Sequence, residues 1–241
     1  MNKLMVAAVA GLALSTGSAL AADLARPAPP MYTKAPTMVA PTWTGFYLGV
    51  EGGYGWGHAE QTDGLGFDSG RYNVNGGLLG GTLGYNWQLS NIVLGLEGDG
   101  SWADVNGSSA VGTCGVGVIG SCHAKLDALG TLRGRLGVAF GNFLPYVTGG
   151  LAIGDVHASE DGGGSGSSTE AGWTFGGGME WMFAPHWSAK VEYLYADLGS
   201  HNIFNDPVGV GGAPVAENVK FTTNIIRGGI NYHFNLGGPN Y

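Results

Sequence analysis

The sequence predicts an all-β fold, an eight-stranded antiparallel up-and-down transmembrane β-barrel. Apolar residues alternate with small or charged residues in eight separate runs, which is the period of a strand. The connections between these runs are short and long in strict alternation. After the first 21 residues, no stretch reaches the roughly 18 consecutive apolar residues that a transmembrane helix requires.

The first run shows the alternating pattern most clearly. Residues 45–56 read GFYLGVEGGYGW, in which Phe46, Leu48 and Val50 share one face and Glu51 lies on the other. An apolar face opposite a face of small and charged residues is typical of a strand between lipid and a barrel interior. Eight strands are therefore expected, at 44–58, 73–88, 91–104, 124–140, 144–157, 171–183, 187–198 and 219–234.

The connections predict which membrane the barrel occupies. Short turns are expected near Ser90, Asn142 and Pro185. The long polar connections are 59–72, 105–123, 158–170 and 199–218. Outer-membrane barrels have short periplasmic turns, longer outside loops and an even number of strands. The chain is therefore expected in the outer membrane of a Gram-negative cell.

Three parts are expected along the chain. Residues 1–21 carry Lys3, an apolar run and a small-residue cleavage site after Ala21 or Ala22, which is the pattern of a secretory signal peptide. Residues 22–42 are rich in proline and lack periodicity, so they are expected to form a stiff periplasmic linker. The barrel domain is assigned to residues 43–241.

The alternation assigns one face of each strand to lipid. Besides the apolar face of the first run, the outward set comprises Leu79, Leu83, Tyr85, Trp87, Ile92, Leu94, Leu96, Trp102, Leu126, Leu132, Leu136, Val138, Phe140, Trp173, Phe175, Met179, Trp181, Val191, Tyr193, Tyr195, Ile226, Ile230, Tyr232 and Phe234. No charged residue belongs to this set. In the fifth strand Val147 and Leu151 alternate with Tyr146 and Thr148, so either face could be outward.

Charged residues fall on the inward face and form the expected lumen charge network. Its members are Glu51, Glu97, Asp99, Lys125, Asp127, Arg133, Arg135, Glu180, Lys190, Glu192 and Arg227. An eight-stranded barrel has an interior just wide enough for its side chains. These acids and bases are therefore expected to pair and fill the lumen rather than line a conduction path. The rival interpretation, the solvated face of a soluble sheet, leaves the apolar band without a core to cover it.

Aromatic residues cluster at both ends of the strands. The set at the short-turn end is Trp43, Phe46, Tyr85, Trp87, Phe140, Trp181, Phe183, Trp187, Tyr232 and Phe234. The set at the loop end is Tyr54, Trp56, Trp102, Trp173 and Tyr195. Amphipathic rings prefer the two membrane–water interfaces, so two aromatic girdles are expected. Phe234 is expected to close the last strand.

The two cysteines lie in one long loop of an exported chain. A disulfide between Cys114 and Cys122 is expected, because oxidising compartments support such bonds. A metal pair would need further ligands, and only His123 is adjacent. The glycine pattern at 115–120 has no strand before it and no helix after it, so no dinucleotide site is expected.

Neither catalysis nor a cofactor is expected. The six histidines are His58, His123, His157, His186, His201 and His233. They occur singly without metal-ligand spacing, and they are expected to be solvated. No serine lies in a nucleophile elbow, and no Ser-His-Asp set follows from spacing alone. The net charge of −8 and the absence of a basic patch argue against a nucleic-acid partner.

Several segments resemble the small outer-membrane β-barrel surface proteins of alphaproteobacteria, which have an OmpA-like, porin-like barrel. They are the signal, the Pro-rich leader, WTGFYLGVEGGYGW at 43–56, LPYVTGGLAIG at 144–154, KVEYLYADLG at 190–199 and GINYHF at 229–234. The chain departs from the usual terminal aromatic of barrel proteins, because Asn235–Tyr241 follow Phe234. The peptidoglycan-binding domain of larger OmpA proteins has no counterpart in this sequence.

The resemblance implies a protein that contributes to envelope integrity and to surface interactions, with no catalytic site to carry over. A narrow passive channel is the first alternative, and a binding module that uses its long outside loops is the second. The expected partners are outer-membrane lipid and lipopolysaccharide, the barrel-assembly machinery and an unidentified surface ligand.

Overall fold

The computed structural model describes residues 42–63, 70–110, 121–160, 165–206 and 215–234. The expected signal peptide, all but the last residue of the expected linker, Cys114, the glycine pattern at 115–120 and Asn235–Tyr241 lie outside these ranges. Within the described ranges, no helix is long and apolar enough to cross a membrane.

Eight strands form the barrel. They are β1 (Gly45–Asp63), β2 (Tyr72–Leu89), β3 (Ile92–Ser108), β4 (Cys122–Val138), β5 (Phe143–Glu160), β6 (Ser165–Ala184), β7 (Trp187–Asp206) and β8 (Val215–Phe234). Each strand pairs antiparallel with the next, and β1 also pairs with β8. Closure leaves no open edge whose backbone N–H and C=O groups would lie unpaired in lipid. The predicted fold class and strand count are confirmed.

The strands extend further toward the long loops than the sequence predicted. They contain 17–20 residues, whereas about 9–11 tilted residues cross a membrane. β1 continues to Asp63 rather than ending at 58, and β8 begins at Val215 rather than 219. Buried apolar side chains such as Phe221 and Val105 pack inside this extension. Their burial stabilises strand pairing in these segments. The sequence predicted loops there because the residues on the outward face are polar.

The outer wall carries most of the apolar residues that the alternation assigned to it. Exposed examples are Leu83, Leu96, Leu132, Phe175 and Ile230. The structure also shows which face of the fifth strand points outward. Val147, Leu151 and Ile153 are exposed, whereas Tyr146 and Ala152 are buried in the lumen.

A β-bulge in β4 overturns three facing assignments. The β4–β5 register shifts between Leu126 and Ala128, so one extra residue of β4 reverses the alternation of sides. Leu126, expected in lipid, is fully buried in the lumen. Lys125 and Asp127, expected in the lumen, lie on the outer wall with side chains 47% and 36% exposed.

Aromatic side chains border the apolar wall at both ends. At the short-turn end, the ring centroids of Phe46 and Tyr85 lie 4.6 Å apart and those of Trp187 and Tyr232 lie 5.1 Å apart. At the loop end, the ring of Trp173 lies 5.4 Å from that of Tyr195. These contacts place two girdles around the barrel.

The height of the apolar wall matches a bilayer. The outward residues of β3 run from Ile92 to Trp102, which corresponds to about 26 Å along the barrel axis at about 3.4 Å per residue and a tilt of about 40°. The apolar band of outer-membrane barrels is about 25 Å tall. The part of each strand that lies on the loop side of the level of Trp102 therefore projects past the hydrocarbon layer.

Leu132→Arg tests the assignment of the lipid face. The Leu132 side chain points outward in the middle of β4, so the guanidinium would meet hydrocarbon. We expect the free energy of unfolding to fall by roughly 2 to 4 kcal/mol in refolding titrations into lipid vesicles. Asn73→Arg, on the exposed wall of the loop-end extension, is the control and should change it little. Equal losses of unfolding free energy for the two substitutions would mean that Leu132 does not lie in the lipid-facing apolar band.

Candidate functional site in the barrel lumen

Nine of the eleven charged residues expected in the lumen have buried side chains there. They are Glu51, Glu97, Asp99, Arg133, Arg135, Glu180, Lys190, Glu192 and Arg227. They come from inward positions on β1, β3, β4, β6, β7 and β8, so the closed sheet brings together residues that are far apart in sequence. Lys125 and Asp127 do not belong to this group, because the bulge turns them outward.

Arg133 occupies the centre of the network. Its Nη1 donates to Glu192 Oε2 at 3.0 Å, and its Nη2 donates to Asp99 Oδ2 at 2.9 Å. Nη2 also donates to Glu97. The remaining guanidinium donor, Nε, donates to Thr131 Oγ1 at 2.8 Å. All three guanidinium nitrogens are therefore hydrogen-bonded out of water, which is the condition under which a buried ion is tolerated.

Two further bases close the network into a ring. Arg227 Nη1 contacts Asp99 Oδ1 at 2.9 Å, and its Nη2 lies 2.7 Å from Glu192 Oε1. It also donates to Glu51. Lys190 Nζ lies 3.1 Å from Glu51 Oε2 and 3.4 Å from Glu97 Oε2. Each acid in this ring meets two bases, so removing one base exposes several partners at once.

A second group surrounds Glu180 toward the short-turn end. Glu180 pairs with Arg135 and accepts hydrogen bonds from Asn231 Nδ2 at 2.8 Å and from Ser188. The guanidinium carbon of Arg135 lies 3.6 Å from the ring centroid of Tyr146, a cation–π contact. These contacts provide hydrogen-bond and charge partners for the Glu180 carboxylate, which is completely buried.

His233 belongs to this group, and the expectation that all six histidines are solvated is wrong for it. His233 is buried, and its Nε2 lies 2.9 Å from Ser188 Oγ and 3.1 Å from Glu180 Oε1. A catalytic triad needs the serine and the carboxylate on opposite ring nitrogens. Here both face the same nitrogen, so the arrangement does not activate Ser188 as a nucleophile.

An apolar cluster closes the lumen at the short-turn end. It contains Trp43, Val93, Leu144 and Met182. Trp43 was expected in the aromatic girdle, but it is completely buried. Its indole Nε1 donates to Gly141 O at 3.2 Å, and its backbone N donates to Gln88 Oε1 at 2.8 Å. Trp43 therefore connects the residues before β1 to the end of β2 and to the turn after β4.

A larger apolar cluster fills the lumen on the loop side. Its buried members are Ala59, Tyr72, Val74, Ala103, Val105, Cys122, Ala124, Leu126, Leu129, Ala152, Val156, Leu194, Ala196, Leu198, Phe221 and Ile225. The charged layer therefore lies between two apolar plugs, which the sequence reasoning missed. Inward parity alone could have assigned Ser188 and His233 to the lumen, because they share the parity of Lys190 and Arg227 on their own strands. The charged residue nearest to Tyr146 on β5 has the opposite parity, so the sequence held no such signal for it.

Nothing in the described part of the chain resembles a metal centre. No group of three or more His, Cys, Asp or Glu side chains is placed there to hold an ion. The carboxylates of the charged network, such as Glu97, Asp99 and Glu192, instead face guanidinium and ammonium groups. The arrangement is suited to holding strands together.

Comparison with known proteins identifies the family. Residues 7–234 match the family model described as the outer membrane protein beta-barrel domain. The chain belongs to this family. It is 37% identical over 250 residues to the 31 kDa outer-membrane immunogenic protein of Brucella melitensis, covering 97% of this chain and 100% of the relative. It is 36% identical over 167 residues to the 22 kDa outer membrane protein of Rhizobium leguminosarum, covering 69% and 70% of the two chains.

A solved structure agrees with the fold. The outer membrane protein OprG from Pseudomonas aeruginosa superposes with a TM-score of 0.51 at 16% identity, covering 81% of this chain and 100% of that one. At this identity the likeness concerns the fold alone. Together with the family and its outer-membrane relatives, it places this barrel in the outer membrane of a Gram-negative cell.

Proposed function

We propose that this protein is a closed, non-conducting barrel with a structural role in the outer membrane, which also presents its loop end at the cell surface. The observation that supports the proposal is the filling of the lumen by one charged layer and two apolar clusters. A barrel that conducts needs a continuous wet path, and apolar constrictions gate such paths by excluding water.

The ring of ion pairs adds a second barrier to conduction. A hydrated ion on the barrel axis would have to displace Arg133 and Arg227 from carboxylates that also hold neighbouring strands. Breaking one buried pair of this kind typically costs about 3 to 5 kcal/mol. The same contacts that block the lumen join β3, β4, β7 and β8, so they serve the mechanical stability of the wall.

The long strand extension favours an additional surface role. Six residues of β3 follow Trp102, and at about 3.4 Å per residue with a tilt of about 40° they rise roughly 16 Å beyond it. Their interior is packed with apolar side chains, so the outside loops stand on a rigid wall. A rigid platform is suited to binding at the cell surface.

A deletion strain tests the structural role. Loss of the gene should sensitise cells to detergents and to antibiotics too large for porins, and a plasmid copy should restore resistance. Uptake of small sugars should be the same in both strains, because the barrel does not conduct. Unchanged detergent resistance combined with slower sugar uptake would instead favour the narrow channel.

A disulfide between Cys114 and Cys122 remains part of the proposal. Cys122 is buried at the start of β4, whereas Cys114 lies outside the described residues. A bond between them would close a ring of about nine residues and stabilise the loop by a little under about 3 kcal/mol. Thiol labelling of intact, unreduced cells should leave both cysteines unmodified. Stoichiometric labelling of both would exclude the bond.

A further inference from the structure

Two parallel rows of polar side chains line the outer wall of β3–β6. The lower row is Asn106, Lys125, His157 and Ser167, and the upper row is Ser108, His123, Ser159 and Ser165. Members of each row are cross-strand neighbours in register, for example Lys125 beside His157 and His123 beside Ser159. The floor between the rows is the stretch of strand at the intervening residues Gly107, Ala124, Ala158 and Gly166, of which the two alanines are buried. We call this feature the polar groove.

The polar groove has the dimensions of a short oligosaccharide. Its rows are two residues apart along each strand, or about 7 Å, and three inter-strand spacings make it about 14 Å long. The cavity has a volume of about 660 Å³. Every side chain in both rows is of a type that can donate or accept hydrogen bonds, and none of them carries a carboxylate. Such a surface suits a ligand covered in hydroxyl groups.

The height of the groove specifies which ligand it meets. Asn106 follows Trp102 by four residues on β3, so the lower row lies about 10 Å beyond the loop-end girdle. Among the described residues, Trp102 is the most exposed of the large apolar side chains, at 78%. In a bilayer that covers the apolar wall, the groove therefore faces the headgroup layer of the outer leaflet, which in an outer membrane is the sugar of lipopolysaccharide.

The bulge in β4 builds the groove. Without the extra residue, Lys125 would point into the lumen. Asp127, in the bulge, accepts from Lys125 Nζ at 2.9 Å and lies 2.7 Å from His157 Nδ1. Asp104 lies 3.4 Å from the same ammonium. Carboxylates below the groove thus orient one cation and one imidazole of its lower row. Bulges commonly re-aim side chains in this way next to binding sites.

We propose that the polar groove binds the inner-core saccharide of lipopolysaccharide in the outer leaflet. The hydroxyl groups of the saccharide would meet the Asn, Ser and His side chains and the Lys125 ammonium. Trp102 would meet the acyl-chain boundary below. A protein partner fits less well, because the rows offer no apolar side chain to anchor it. The proposal does not depend on whether the barrel conducts.

Native mass spectrometry of the full chain in detergent provides the test. The protein is titrated with rough lipopolysaccharide, which carries lipid A and inner-core sugars, and separately with lipid A alone. We expect about tenfold tighter binding of the core-bearing lipid, the difference typical of one hydrogen bond to a charged group. Lys125→Gln combined with His157→Gln should abolish that difference. Asp127→Asn, which removes only the positioning carboxylate, should reduce it.

His58→Gln combined with Lys220→Gln is the matched control. These residues lie exposed on β1 and β8, on the opposite wall, and the pair loses the same two groups. The control should retain the preference for the core-bearing lipid. Equal binding of both lipids to the unaltered chain would overturn the proposal, as would equal loss in the two double variants. All variants should first show the gel shift of a closed barrel, because every substitution lies on the exposed wall.

Discussion

Deletion of residues 229–241 is expected to abolish closure of the barrel. Phe234 pairs with Phe46 of β1, and Tyr232 pairs with Trp187 of β7, so the deletion removes the short-turn end of both ladders of β8. The unpaired N–H and C=O groups of β1 and β7 would then lie in hydrocarbon, at a cost of several kcal/mol each. The deletion also removes His233 from beside Glu180.

The mobility difference between boiled and unboiled samples on a detergent gel reports closure. The variant lacking residues 229–241 should show no difference, whereas deletion of Asn235–Tyr241 alone should leave it intact. The short deletion is the control for loss of the residues that follow Phe234. A mobility shift in the long deletion would show that Phe234 does not end the closing strand and that the eight-strand count fails.

Arg133→Ala is expected to cause the largest loss of stability among single substitutions in the lumen. Its side chain is completely buried and contacts Glu97, Asp99 and Glu192. Truncation leaves these carboxylates short of a partner in a confined space, which typically costs about 3 to 5 kcal/mol. Refolding titrations in urea, with the gel shift as readout, would measure the loss.

Arg71→Ala is the matched control for the loss of an arginine. Arg71 pairs with Glu60 at 3.2 Å, but its side chain is 71% exposed to solvent. Surface ion pairs of this kind contribute about 0 to 1 kcal/mol to the free energy of unfolding. The urea concentration at the midpoint of unfolding should therefore hardly change. If Arg133→Ala proved as mild as Arg71→Ala, water would reach the lumen network and the account of a filled barrel would be wrong.

The sequence was sufficient for the architecture because the alternation and the connections are both local. Leu132 and Arg133 are adjacent, and period two alone places one in lipid and the other in the lumen. The same rule places Glu180 and Arg227 inside, although they are far apart in the chain. It cannot say which acid meets which base, because those distances depend on strand tilt and register.

The errors concentrate at the loop end, where the local rule changes. The bulge in β4 moves Leu126 inward and Lys125 outward, and no glycine or proline marks it within Leu126–Ala128. Strand lengths were underestimated because the outward residues there are polar, as in a loop. The apolar side chains that stabilise the extension, such as Phe221 and Val105, point into the lumen, where apolar residues were not expected.

At the short-turn end, the position of Trp43 differs from the prediction for another reason. Trp43 is an aromatic residue of the kind that forms girdles, and it precedes β1. The alternation within the strand therefore does not indicate which way its side chain points. Its burial depends on the carbonyl of Gly141 in the turn after β4 and on Gln88 at the end of β2. These contacts exist only once the barrel has closed, and a sequence pattern cannot reveal them.

A single-channel recording of the purified full chain in a planar bilayer tests the filled lumen most directly. Barrels whose closure has been verified by gel shift would be added from the same preparation, and a general porin in the same bilayer would verify that insertion is detected. We expect silence or rare small steps, because two apolar clusters and a ring of ion pairs occupy the barrel axis. Steady openings of porin size would contradict it.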